Sequence, residues 1–321
     1  MNLKRWIARR EPQWQQLDTL LKQAETKGLK SLRAEQIRQM ASLYRSVSAD
    51  LARAKTNELG NTLVQDLQAL TSRGYSQVYQ GSRRQESQAI ANFYLWQLPA
   101  TIQKNWVYIA LSFAIFLLAV LIAWWFAWQD PTFMAALVPQ SLIAKVRDKR
   151  ELWMGSILGY EPLASSGIMV NNMAVSFKAV AGGITGGAFT AYLLFFNGLL
   201  IGAIATLVSQ YDLAYPFWAF VFPHGSLELP AIFFAGGAGL LIARGLLFPG
   251  KYRRADALRI YGYEAAQLVL GIVPMLFIAG AIEGFFSPNP AIPEPFKYLT
   301  GSLLFALLII YCRRVKVDSS L

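Results

Sequence analysis

Residues 105–128 read "NWVYIALSFAIFLLAVLIAWWFAW", a run of 24 residues with no Asp, Glu, Lys or Arg. Such a run constrains the fold more than anything else in the chain. About 20 apolar residues in a helix cover the hydrocarbon of a bilayer, because every backbone polar group is then bonded within the segment. Trp106 near one end and Trp124, Trp125 and Trp128 at the other give the aromatic girdle of a membrane-spanning helix. The rest of the composition agrees: 55% hydrophobic residues, 15% charged and a mean hydropathy of +0.34. A soluble domain is about a quarter charged.

The net charge of +11 is unevenly spread. Residues 1–104 hold 16 Lys and Arg against 8 Asp and Glu, before the long apolar runs begin. A basic segment beside membrane spans points to cytoplasmic placement and anionic lipid, and no nucleic-acid partner is expected. Within 1–104, Trp14, Leu17, Leu20 and Leu21, then Leu32, Ile37, Met40, Leu43, Tyr44, Val47, Leu51 and Ala54, then Leu63, Leu67 and Leu70 recur at spacings of three and four. That period predicts amphipathic helices packed as a cytoplasmic bundle. The N-terminus lacks the apolar core and cleavage site of a secretory signal. One cysteine, Cys312, forms no disulfide within the chain.

The segment 129–169 reads as a non-cytoplasmic linker. Its middle alternates Leu142, Ile143 and Val146 with Lys145, Arg147, Lys149 and Arg150, the pattern of an interfacial or capping helix. A transmembrane core is expected over 170–316 and a short cytoplasmic tail over 317–321. Basic residues cluster at 244–259 and at 313–316, which places both, and both chain termini, inside a bacterial cytoplasmic (inner) membrane. The crossings must then be even in number. Spans at 105–128, 217–248, 262–286 and 296–312 make four, so the 41 apolar residues at 170–210 must leave and return on one side. Two crossings, six in all, are favoured over a re-entrant pair, with "GGITGG" (182–187) and "FFNG" (195–198) as natural breaks. The expected fold class is therefore an all-α polytopic membrane protein of about six crossings with an N-terminal helical bundle.

Charged groups inside spans cost about 2.5–3.5 kcal/mol each at the bilayer centre, so each one calls for a reason. Counted along the expected spans, Lys178, His224, Glu228 and Glu283 all fall in the outer half, as one polar cluster on three segments. Asn171, Asn172 and Asn197 are candidates to join it. His224 and Glu228 stand four residues apart, on one face of a continuous helix. Pro230 removes the N–H that would bond to Ser226, which predicts a kink or break. Three uses of such a cluster are open: pinning helices together, a transport or proton path, and catalysis. The chain's single histidine cannot supply the H-E-x-x-H pattern of a metalloprotease, so no metal, cofactor or catalytic residue is expected. The pairs Gly182/Gly186, Gly183/Gly187 and Gly198/Gly202, with Ala235/Gly239, suit close helix packing, within the chain or across a homodimer.

"NN" at 171–172, "NGLLIG" at 197–202, "PHGSLELPAIFFAGGAGLLIA" at 223–243 and "AGAIEGFFSP" at 279–288 resemble the integral membrane family of stage II sporulation protein M. Trp14 and "LYRSVSADLARAK" at 43–55 resemble the helix that precedes the spans in its longer members, so the likeness runs from about residue 3 to 315. The block from Pro223 through Gly225 and Glu228 to Pro230 is its most specific piece. "SRGYSQVY" at 72–79 departs from relatives that carry a histidine beside the arginine. The resemblance implies a polar signature of Asn172, Asn197, Gly198, His224, Gly225, Glu228 and Glu283. It also implies a non-enzymatic scaffold or assembly factor working in the bilayer with other envelope proteins. In endospore formers the namesake acts in engulfment, beside peptidoglycan-remodelling partners. A small-solute, ion or lipid transporter is the alternative expectation, and an intramembrane hydrolase the third.

Overall fold

The computed structural model describes residues 3–57, 59–153 and 161–315. The expected tail at 317–321 lies outside the described residues, as does the stretch 154–160 of the linker. All regular elements among the described residues are helices, and the chain forms two compact units, Met1–Asn92 and Phe93–Leu321.

The first unit contains α1 (Leu3–Lys27), α2 (Ala34–Thr56), α3 (Asn61–Tyr75) and α4 (Gly81–Asn92). The stripe read from the sequence is its core: Leu17, Leu21, Met40, Val47 and Leu67 are fully enclosed. Burial of such side chains contributes about 1.5–3 kcal/mol each. Gly28 (φ 77°) and Gly60 (φ 93°) lie in the left-handed region between the helices, where a Cβ is disfavoured. Asp50, fully buried, accepts from Arg10 Nε (2.9 Å) and Nη2 (2.8 Å) and from Trp14 Nε1 (3.0 Å), tying α1 to α2.

The second unit begins at Phe93, twelve residues before the boundary at 104 expected from the apolar run. The reason is packing. In α5 (Leu98–Lys104), Leu98 and Ile102 are buried against the membrane helices, and Tyr94 Oη donates to the Leu270 carbonyl (3.0 Å). Then follow α6 (Trp106–Gln129), α7 (Pro131–Leu137), α8 (Gln140–Lys149), α9 (Glu161–Ala181), α10 (Ala188–Gln210), α11 (Ala214–Leu247), α12 (Arg254–Ala281) and α13 (Glu294–Cys312). Five of these are long and apolar enough to cross a membrane: α6, α10, α11, α12 with its continuation to Phe286, and α13. The amphipathic α8 caps the unit, with Ile143 and Val146 against Ala127, Ala203 and Leu207.

The 170–210 block is a helical hairpin whose first limb, α9, starts at 161 rather than 170. It turns at 182–187, with Gly186 (φ 69°) and Gly187 (φ 86°) left-handed, so these two glycines form the bend, and a Cβ on Gly187 would also crowd Ala243 of α11. "FFNG" does not break the chain; it lies inside α10. There Gly198 and Gly202 do pack closely, for a Cβ on either would fall on the Phe116 or Val120 carbonyl of α6. Gly183 and Gly239 make the matching close approach between the bend, α9 and α11.

α11 lies at the centre, flanked by α6, α9, α10, α12 and α13, and 67% of its most apolar window is buried. By contrast α6 and α13 turn most of their surface outward, 22% and 11% buried. One end of the unit gathers the bend at 182–187, Arg244, Leu247 and the start of α12, with Gln103 Nε2 donating to the Cys312 and Arg314 carbonyls. The basic residues Lys251, Arg253, Arg254 and Arg259, at and just before the start of α12, thus share an end with Arg313 and Arg314, as their common charge requires if they meet one side of a bilayer.

Candidate functional site

α11 runs as one helix through both Pro223 and Pro230, so of the kink or break expected at Pro230 there is no break. Each proline removes a single backbone hydrogen bond, and the neighbouring helices keep lipid from what is freed. Ser226, released as a backbone acceptor by Pro230, turns its Oγ to the Pro223 carbonyl (2.9 Å). Continuity puts His224 and Glu228 on one face, one turn apart.

The third member comes from the end of α12. There the helix widens into a single π turn, Ile282–Phe286, and Glu283 lies in it, 9% exposed. Such a turn inserts one extra residue and re-aims the side chains that follow. His224 Nε2 stands 3.8 Å from Glu283 Oε1, and donor atoms of His224, Glu228 and Glu283 lie within 4.8 Å of one another. On its other side His224 Nδ1 meets Ser287 Oγ at 3.1 Å, while Lys297 Nζ, in the first turn of α13, donates to the Ser287 carbonyl at 2.6 Å. Phe220 closes over the imidazole edge-on, with ring centroids 5.5 Å apart. Glu283 Oε2 is buried and makes no hydrogen bond among the described residues.

Three of the four cluster residues expected from the sequence therefore meet, and Lys178 does not. It is exposed, in the last turn of α9, next to Ala179, whose carbonyl abuts Gly239. Gly239 is 15 residues beyond His224 on the same helix, about 22 Å along its axis. The misplacement follows from counting depth from residue 170 when the helix begins at 161. Asn197 is spent locally, donating to the Leu193 carbonyl (2.8 Å), and Gly225 and Pro230 line an apolar cleft with Phe113 and Phe305. Asn171 and Asn172 make no hydrogen bond to the cluster among the described residues. The sequence reading missed Ser287 and Lys297, the latter only 8% exposed. Its proline-rich approach, "NPAIPEPFK", reads as an exposed loop, and nothing in the one-dimensional pattern folds that lysine inward.

The expectation of no metal site rested on there being one histidine. A carboxylate from a second helix removes that objection, and one imidazole with two carboxylates is a set that can hold a divalent ion. A separate ionic feature marks the other end. Glu264, on α12, accepts from Lys104 Nζ (2.7 Å), and the Arg244 guanidinium lies over the rings of Tyr108 and Tyr261 and bonds the Tyr108 hydroxyl.

Residues 112–288 match the Stage II sporulation protein M family, and residues 4–80 match a domain of unknown function, DUF8413. No curated protein and no solved structure matches. The first match runs from within α6 to just past the π turn that follows α12, with His224, Glu228, Glu283 and Ser287 inside it, and covers more than half of the chain. The chain belongs to the stage II sporulation protein M family.

Proposed function

We propose that the protein is a non-enzymatic scaffold or assembly factor of the inner membrane, holding envelope partners together from a rigid core. The observation that carries this reading is α11, unbroken over 34 residues and packed through glycines against its neighbours. Alternating-access carriers work through discontinuous helices that rock about a central site. A continuous, enclosed central helix suits a fixed frame instead. The outward faces of α6 and α13, with Trp124, Trp125, Leu303 and Leu307 exposed, offer surface to lipid and to other membrane proteins. The basic first unit offers a separate face to anionic lipid or a cytoplasmic partner.

One observation favours the second reading, a small-solute, ion or lipid transporter: three ionisable side chains converge inside the spans. Two measurements separate the readings. A photo-crosslinking residue at Trp125 or Leu307 in living cells should give adducts of discrete mass with other membrane proteins, and none from the buried Leu207. Purified protein in liposomes should leave ion and solute gradients intact. A flux that Glu228→Gln stops, with the fold preserved, would replace the scaffold by the transporter.

A further inference from the structure

His224, Glu228 and Glu283 bring two carboxyl groups and the chain's only imidazole together within the membrane unit. Among the described residues no lysine or arginine stands within ion-pair reach of either carboxylate. Lys297, the nearest buried cation in the network, is engaged with a backbone carbonyl instead. Two like charges in a poorly solvated site repel, and each alone is costly to insert.

The geometry points to a different neutralising partner. The 3.8 Å between His224 Nε2 and Glu283 Oε1 exceeds a hydrogen bond. It is close to the separation of two donors on one ion: bonds of about 2.1 Å in tetrahedral geometry set neighbours about 3.4 Å apart. The wider limit of 4.8 Å for the three donors is within the reach of two glutamate rotamers. Glu283 Oε2, buried and unbonded, adds an oxygen already stripped of water and aimed at no protein donor. The second face of the imidazole is also arranged as a ligand's should be. Nδ1 meets Ser287 Oγ at 3.1 Å, and the tautomer that donates its Nδ1 proton there leaves the lone pair of Nε2 facing Glu283.

We propose that His224 Nε2 and the carboxylates of Glu228 and Glu283 bind one divalent transition-metal ion of the zinc or manganese class. The donor set selects the class. Magnesium and calcium prefer oxygen alone, magnesium keeping several waters, while an imidazole with two carboxylates suits Zn²⁺ or Mn²⁺. Charge favours it too, since one dication and two carboxylates sum to zero, which a membrane interior tolerates. The ion fastens the middle of α11 to the end of α12, where the hydrogen-bond contact of His224 with Ser287 already joins them. This goes beyond the scaffold reading and stands or falls apart from it.

The test uses the full chain in detergent, purified through a tag without histidine, stripped with a chelator, loaded with ZnCl₂ and passed over a desalting column. Mass spectrometry of the metal should find about one equivalent of zinc per chain, falling at least tenfold in Glu228→Gln and Glu283→Gln. Zinc-edge X-ray absorption of the wild-type protein should show a single imidazole among oxygen donors, and His224 is the only residue able to supply it. That reading needs no variant, so it decides the matter even if the substituted chains fail to fold. A wild-type chain that retains no zinc, zinc retained equally by the variants, or a spectrum without imidazole would overturn the proposal.

Discussion

Asp50 has no exposed surface, yet it carries a full charge into the core of the first unit, where Arg10 and Trp14 satisfy it. Removing one partner of a buried pair leaves the other desolvated and unpaired. Asp50→Ala should therefore cost about 3 kcal/mol, read from urea unfolding of residues 1–92 by circular dichroism. The surface network nearby answers to pH. Hydrogen bonds from Lys22 and Arg73 hold the Asp18 carboxyl below its ordinary value, and a hydrogen bond from Arg73 does the same for Glu25. A carboxyl more acidic in the folded state stabilises the fold above its unfolded pKa, about 4, and that contribution disappears as pH falls through the lowered value. The unit should lose stability from pH 5 toward pH 3, and Arg73→Met should flatten that slope. At this scale the sequence showed what stands out against its surroundings. His224, Glu228 and Glu283 are polar residues in apolar runs, so each announced itself. Lys297 did not, because a lysine after prolines at a helix start is ordinary, and its burial depends on where Ser287 lies in space.

Among the elements, the helices themselves were legible and their joints were not. The apolar period marks α2 and α3 cleanly, since there burial and periodicity are the same information, and α6 is marked by its unbroken apolar length. Pro230 marks a kink or break, and tertiary packing removes the break: an interior proline costs about 3 kcal/mol, which burial among five helices offsets. Glycine spacing likewise could not separate a seam from a bend. Gly198 and Gly202 face α6, whereas Gly186 and Gly187 turn the chain. The seam makes a sharp prediction. Gly198→Val places side-chain atoms where the Phe116 carbonyl stands, and backbone cannot step aside as a side chain can. It should destabilise detergent-purified protein by about 1–3 kcal/mol or more in a thermal-unfolding assay. Gly262→Ala, with open space at its Cβ, should be neutral or slightly stabilising.

For the whole molecule, five helices among the described residues qualify as spans, and an even count of six needs α9, the first limb of the hairpin, as the sixth crossing. The arrangement can be checked with the single native thiol removed by Cys312→Ser. In that background Lys251→Cys and Asn289→Cys lie at opposite ends of α12 and should react with an impermeant maleimide from opposite sides of sealed vesicles. Reaction of both from one side would break the topology. The lengths of the spans carry a consequence of their own. α11, at 34 residues, is about 51 Å long, while α13, at 19, reaches only about 28 Å. The longest helix is sheltered inside, and of the two that face outward most α6 has 24 residues and α13 only 19. Against a hydrocarbon core of about 30 Å, α13 falls short by only about 1–2 Å, so it matches the bilayer nearly upright, with little room to tilt. The outward-facing α6, about 36 Å long, exceeds that thickness, so lipid meets a long helix on one flank and a short one on another, and the α6 flank is the one that must tilt or thicken the bilayer.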